Sequence, residues 1–100
     1  AIDFQKLNEV VAIMKRNPTL HFIIEGHTDA VGTAIYNVDL AQRRANSVLN
    51  YLAEKGLNKN RFSVESKGFS DLKHKECNPA TNCIDWKNFE NRRVRFRVKK

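Results

Sequence analysis

Apolar side chains recur near the start of the chain at steps of three and four, at Phe4, Leu7, Val11 and Met14. That spacing marks one face of a helix, and Asn17-Pro18 would stop it, so an amphipathic helix is predicted over Ile2 to Asn17. The run Leu20-His21-Phe22-Ile23-Ile24-Glu25 is short, apolar and rich in β-formers, and Gly26 closes it, as expected of a buried strand. A polar turn, His27-Thr28-Asp29-Ala30-Val31-Gly32-Thr33, follows. From about Asp39 to Lys55 the helical period returns, with Ala41, Ala45, Val48, Leu49 and Leu52 on one face. Asp39 and Gln42 have the spacing of a capping box, and Gly56 suits the position just past a helix end. Phe62, Val64 and Ser66 alternate with polar neighbours, which predicts a strand from Arg61 to Lys67. The stretch from Gly68 to Glu90 is long and polar, and Ile84, Trp86 and Phe89 mark a short helical turn within it. Val94, Phe96 and Val98 alternate with Arg95 and Arg97, an amphipathic strand with one wet face.

The order α-β-α-β-loop-β predicts an α+β fold, a two-layer sandwich with the helices on one face of the sheet. The first helix has no lead-in, so an initial strand is expected ahead of Ala1. The chain also begins without Met and is expected to be a piece of something longer. Its 100 residues suit a single domain, 1–100, with the region of about 69–90 as a loop insertion. With 41% apolar and 29% charged residues, it is neither a disordered nor a collagen-like chain. Apolar runs such as Phe22-Ile23-Ile24 fall far short of the ~20 residues that cross a bilayer, and none reads as a signal peptide.

Charge is unevenly spread. Residues 1–50 carry five basic and five acidic groups, whereas residues 51–100 carry thirteen and six, so the whole net charge of +7 lies in the second half. Such asymmetry fits either an acidic partner near the C-terminal end or a solvated face that keeps the domain soluble. Cys77 and Cys83 flank Asn-Pro-Ala-Thr-Asn, a stretch able to turn back and bring two Cα atoms within disulfide range. A disulfide is favoured over a metal site with His74, since zinc would want a fourth ligand and shorter cysteine spacings. A disulfide also implies an oxidising compartment.

Two acid–base groups stand out. Asp29 leaves the first strand at the carboxyl end of the sheet, where ligands bind α/β layers. Arg44 aligns with Leu40 and Val48 at the margin of the apolar stripe, where a half-desolvated guanidinium wants an anionic partner, either Asp29 or a ligand carboxylate. Arg43 points away, beside Ser47. On the last strand, Arg92 is expected to share the side of Val94, Phe96 and Val98, while Arg93 is expected to face water with Arg95 and Arg97. Asn37 suits a turn whose backbone it ties down through side-chain hydrogen bonds.

Four ordered blocks carry a resemblance: Gly26-His27-Thr28-Asp29-x-x-Gly32, Tyr36-Asn37-x-x-Leu40-x-x-x-Arg44-Ala45-x-x-Val48, Gly68-Phe69, and Asn91-Arg92-Arg93-Val94. Together, over about Pro18 to Val98, they resemble the OmpA C-terminal-like family of peptidoglycan-binding domains. The resemblance implies a βαβαβ(α)β sandwich whose first strand is truncated or absent here. It implies that Asp29 and Arg44 grip the diaminopimelate of the peptidoglycan stem peptide, with Asn37 and Arg92 at the same site and Thr28 and Arg93 as secondary contacts. A carboxylate can accept the ligand's ammonium, a guanidinium can pair with its carboxylate, and backbone N–H groups at a helix start can assist. Ala41 stands where the family usually has serine, and Arg95 where it often has an acid. The cysteine pair is closer to the outer-membrane-porin branch.

The expected function is therefore non-catalytic tethering of the outer membrane to peptidoglycan in the periplasm of a Gram-negative bacterium, without cofactor or metal. The expected partners are peptidoglycan, a barrel or lipid anchor elsewhere in the full-length chain, and a second copy in a homodimer. The alternative is a basic nucleic-acid-binding domain, against which Phe96 falls on the inward alternation. A wall hydrolase finds no nucleophile–base pair among His21, His27 and His74.

Overall fold

The computed structural model describes residues 4–99. Its main elements are α1 (Phe4–Arg16), β1 (Phe22–His27), α2 (Ala34–Glu54), β2 (Phe62–Gly68), α3 (Asp85–Asn91) and β3 (Val94–Val98), with single 3-10 turns at Lys59–Arg61 and Ala80–Asn82. The strands lie in the order β2-β1-β3, with β1 parallel to β2 and antiparallel to β3. A parallel pair needs a long crossover, and α2 supplies it. The result is the expected α+β arrangement. Any strand ahead of α1 falls outside the described residues.

Register decides the two faces of the sheet. Phe22, Ile24 and Gly26 stand beside Phe62, Val64 and Ser66 on one side and Val98, Phe96 and Val94 on the other. This face meets the helices and closes a core of Leu7, Met14, Ile24, Ala45, Val48, Leu52, Leu57 and Phe62. The opposite face carries Ile23, Glu25 and His27 between Glu65 and Lys67 of β2 and Arg95 and Arg97 of β3. One glycine sets how closely the layers approach. A Cβ added to Gly26 would stand 2.1 Å from the Ala41 carbonyl oxygen, so the backbone of α2 rests directly on β1. That contact fixes the first half of α2 over the strand end from which Asp29 emerges.

Several boundaries differ from the sequence pattern. α2 begins at Ala34 rather than near Asp39, and its cap is Thr33, whose hydroxyl accepts from the Tyr36 N–H at 3.1 Å. Ile35, Tyr36 and Val38 are all exposed, so the first turn shows no buried stripe for periodicity to detect. Asp39 is not a cap; it pairs with Arg43 at 3.0 Å, one turn further on. Asn37 consequently lies inside the helix rather than in the turn before it. β1 runs through Gly26 to His27, whose N–H donates to the Arg93 carbonyl at 2.8 Å while the Arg93 N–H donates back at 3.2 Å.

Cys77 and Cys83 are disulfide-bonded, and His74 pairs with Glu90 at 2.7 Å instead of joining them. The segment between β2 and β3 is pinned from below by α3. The Asn91 carboxamide oxygen accepts from the His74 N–H at 2.8 Å, and the Asn88 amide donates to the Ala80 carbonyl at 3.0 Å. No helix among the described residues is long and apolar enough to cross a membrane.

Candidate functional site

The site is built where β1 ends. Thr28 is still tied to the sheet, its N–H donating to the Gly68 carbonyl at 2.7 Å, and its hydroxyl donates to the Asp29 carbonyl at 2.9 Å. The Asp29 side chain turns back on its own loop, where one oxygen accepts the Val31 N–H at 3.1 Å. Gly32 adopts φ +86°, a left-handed conformation that favours glycine, and lets the loop swing into α2. Asn37 then holds the loop from the helix side: its amide donates to the carbonyls of Val31 at 2.7 Å and Thr33 at 3.0 Å. Thr28 and Asn37 are both 1% exposed, so they position the loop rather than offer surface to a ligand.

The second oxygen of Asp29 is held by Arg92 Nη1 at 2.6 Å. Of the two anionic partners open to Arg44, Asp29 is therefore already engaged, and its partner is the arginine at the junction of α3 and β3. Antiparallel pairing explains the choice. His27 and Arg93 exchange backbone hydrogen bonds, which carries Arg92, one residue earlier, past the end of β1 and alongside the loop. The Arg92 guanidinium also lies 5.6 Å from the centre of the Phe89 ring.

Arg44 is half-buried on α2, and its Nη1 is fully buried with no hydrogen-bond partner among the described residues. It follows Asn37 by seven residues, almost two full turns, and so stands on the same line of the helix. Val48, one turn further along, lines a groove of about 590 Å³ together with Arg92, Leu7, Val94 and Phe96. An unsatisfied buried donor costs about 1–3 kcal/mol, and an anionic group placed against it relieves that cost. Arg93 does not face water as expected. It is half-buried, folded onto the Asp71 carbonyl at 3.0 Å, and burial draws its pKa below the usual arginine value.

The pattern along the sequence does not reveal a second charged group, on the open sheet face. Glu25 is 3% exposed and accepts from His27 Nε2 at 3.2 Å and from Arg97 Nε, while Arg97 Nη2 donates to Glu65 at 2.8 Å. Burial alone would raise the Glu25 carboxyl, but the hydrogen bonds from Arg97 and His27 together outweigh it and hold its pKa below the ordinary value. The available signal was the register: Glu25 opposes Glu65 on one side and Arg95 on the other, with Arg97 diagonal to it.

Fold and site together define a two-layer α+β domain with a partly buried Asp29–Arg92 ion pair at the carboxyl end of its central strand. The chain belongs to the OmpA family, whose sequence model matches residues 3–82. It is 38% identical over 96 residues to Outer membrane protein A of Bordetella avium, an alignment covering 94% of this chain and 46% of that protein. It is 39% identical over 64 residues to the peptidoglycan-associated lipoprotein of Pasteurella multocida, covering 64% of this chain and 43% of that one. The chain therefore spans under half the length of these relatives. Among solved structures, the peptidoglycan-associated lipoprotein of Burkholderia pseudomallei superposes with a TM-score of 0.73 at 25% identity, over 92% of this chain and 71% of that one.

Proposed function

We propose that this chain is a non-catalytic module that binds peptidoglycan through the diaminopimelate of its stem peptide. Diaminopimelate ends in an ammonium and a carboxylate on one carbon. In this reading the Asp29 carboxylate takes the ammonium and the Arg44 guanidinium takes the carboxylate. Arg92 holds the Asp29 carboxylate in place and adds positive charge to the site. Thr28 and Asn37 keep the loop in shape, and Arg93 braces the far side. The observation that carries the reading is the buried, unpartnered Nη1 of Arg44 on the helix line that also carries the loop-binding Asn37. Family membership and the similarity to peptidoglycan-associated lipoproteins support peptidoglycan as the ligand.

A site of a few charged hydrogen bonds in water binds weakly, roughly in the micromolar to millimolar range. Many copies on one polymer would secure attachment through effective concentration. The names of the relatives also support a periplasmic domain tied to the outer membrane by another part of a longer protein. The nucleic-acid alternative loses its base platform. Phe22 and Phe96 meet edge to face, 6.3 Å apart, on the side covered by helices.

The test is retention on purified sacculi. Asp29→Ala and Arg44→Ala are expected each to lower retention at least tenfold while melting as folded domains, and undiminished retention of both overturns the reading. Titration with free diaminopimelate against lysine then isolates the second carboxylate, which lysine lacks. Equal affinity for the two removes Arg44 from the assignment.

A further inference from the structure

The exposed surface of α3 is unusual for so short an element. Trp86 and Phe89 are 52% and 50% exposed, and Ile84, the residue before the helix, is 62% exposed. Helical geometry explains the pairing: Asn88 and Asn91 turn inward to hold the disulfide loop, which leaves Trp86, Phe89 and Glu90 within about 100° of one another on the outer side. The two rings therefore share the outer side of α3, with polar groups around them. His74 meets the indole edge-on at 5.4 Å, the Lys87 ammonium lies 5.6 Å from its centre, and Glu90 is held by His74.

This surface adjoins the Asp29–Arg92 pair. Arg92 bonds Asp29 with one nitrogen and lies against the Phe89 ring, so that ring sits no more than roughly 10 Å from the Asp29 carboxylate, about the reach of three extended residues. In the stem peptide, diaminopimelate is the third residue counted from the sugar. A stem peptide seated at Asp29 is thus long enough to reach α3 with its amino sugar.

We infer that Trp86 and Phe89 form an aromatic platform for an N-acetylated amino-sugar ring of the glycan strand. This inference rests on the stem-peptide reading and extends it to the saccharide. A pyranose ring has an apolar C–H face that packs on an aromatic face, and its hydroxyl edge meets the charged and imidazole groups at the rim. The charged groups beside the aromatics are paired, Lys87 with Glu76 and both Lys73 and His74 with Glu90, which suits a neutral sugar better than an anionic lipid surface.

The experiment compares two ligands by calorimetry: the stem tripeptide alone, and the same tripeptide carrying its disaccharide. Wild type is expected to bind the disaccharide–tripeptide about fivefold more tightly than the tripeptide, and Trp86→Ala to lose that advantage while holding the tripeptide unchanged. Trp86→Phe should keep most of it. Trp86 is the sole tryptophan of the chain, so wild-type fluorescence should respond to the disaccharide–tripeptide and not to the tripeptide. If wild type binds the tripeptide with no sugar advantage, the platform is overturned and the stem-peptide site stands. If it binds neither ligand, both fall. Loss of both ligands by Trp86→Ala, or a tryptophan response to anionic phospholipid vesicles with none to the disaccharide–tripeptide, also overturns the platform.

Discussion

Two carboxylates, Glu25 and Asp29, stand four residues apart on and just beyond β1, both nearly buried, and each is held by an arginine from the C-terminal end of the chain. The surroundings differ. On the open sheet face, Glu25 is bonded by His27 and Arg97, Arg97 continues to Glu65, and Lys67 lies 3.6 Å from Glu65. Every charge in that network meets an opposite one. Beyond the strand end, Asp29 has Arg92, while on α2 Arg44 carries a guanidinium whose buried Nη1 has no hydrogen-bond partner among the described residues. A closed network lowers the energy of the folded state alone, and a ligand can add little to it. An open one carries a cost that a ligand of the right charge removes. The same strand thus carries a closed charged network on one face and, at its end, the ion pair around which the proposed site is built.

The most damaging way to erase this distinction is at Gly26, which lies between them. Gly26→Ala would drive a methyl into the Ala41 carbonyl, and backbone on backbone has no rotamer to yield. Separation of α2 from β1 should destabilise the domain by more than about 3 kcal/mol and abolish sacculus binding with it. A melt indistinguishable from wild type would show that the layers are not in contact there.

A sharper cut takes one arginine from each cluster. Arg97→Ala strands Glu25 without its main counter-charge and should lower Tm by roughly 5–10 °C, while the protein that remains folded keeps wild-type affinity for the ligand. Arg44→Ala should do the reverse, leaving Tm unchanged or slightly higher because an unsatisfied donor has gone, and reducing binding at least tenfold. If both variants lose stability and binding in parallel, the division between closed and open clusters fails.

How far the sequence revealed all this depends on where the information lay. The strands and the body of α2 were legible because burial there repeats with the period of the element, as at Ala41, Ala45, Val48 and Leu52. The start of α2 was not, because Ile35 and Tyr36 are apolar yet face solvent, and the cap rests on a single threonine hydroxyl. The disulfide could be read from local loop chemistry. The role of Asn37 as a loop anchor was legible for the same reason, since its partners are four and six residues away. The partner of Asp29 was not: Arg92 lies 63 residues on, and only the antiparallel registry of β3 against β1 brings it there. Glu25 was hidden in turn, because alternation assigns Arg97 to a wet face without showing that a carboxylate on the neighbouring strand needs it.

The smallest effect separates the clusters by pH. His27 is fully buried; Nε2 is committed to Glu25 while Nδ1 has no partner among the described residues. Protonating Nδ1 would bury a donor without an acceptor. Burial is the main cause of the lowered His27 pKa; the bond to Glu25 opposes it, and the nearby Arg93 charge reinforces it. A histidine with a folded pKa below the unfolded 6.5 binds fewer protons when folded, so its contribution is complete above that pH and fades as pH falls through the folded value. Glu25 acts in the same direction in a lower window, its contribution being present above 4.5 and lost below. Tm should therefore hold steady above about pH 7, decline as pH drops below 6.5, and decline again below 4.5. His27→Gln keeps an N–H for Glu25 but does not titrate, so it should flatten the first decline and leave the second. A wild-type Tm that stays constant from neutral pH to pH 5, or a His27→Gln profile that superposes on it, would show that this network does not couple protonation to folding.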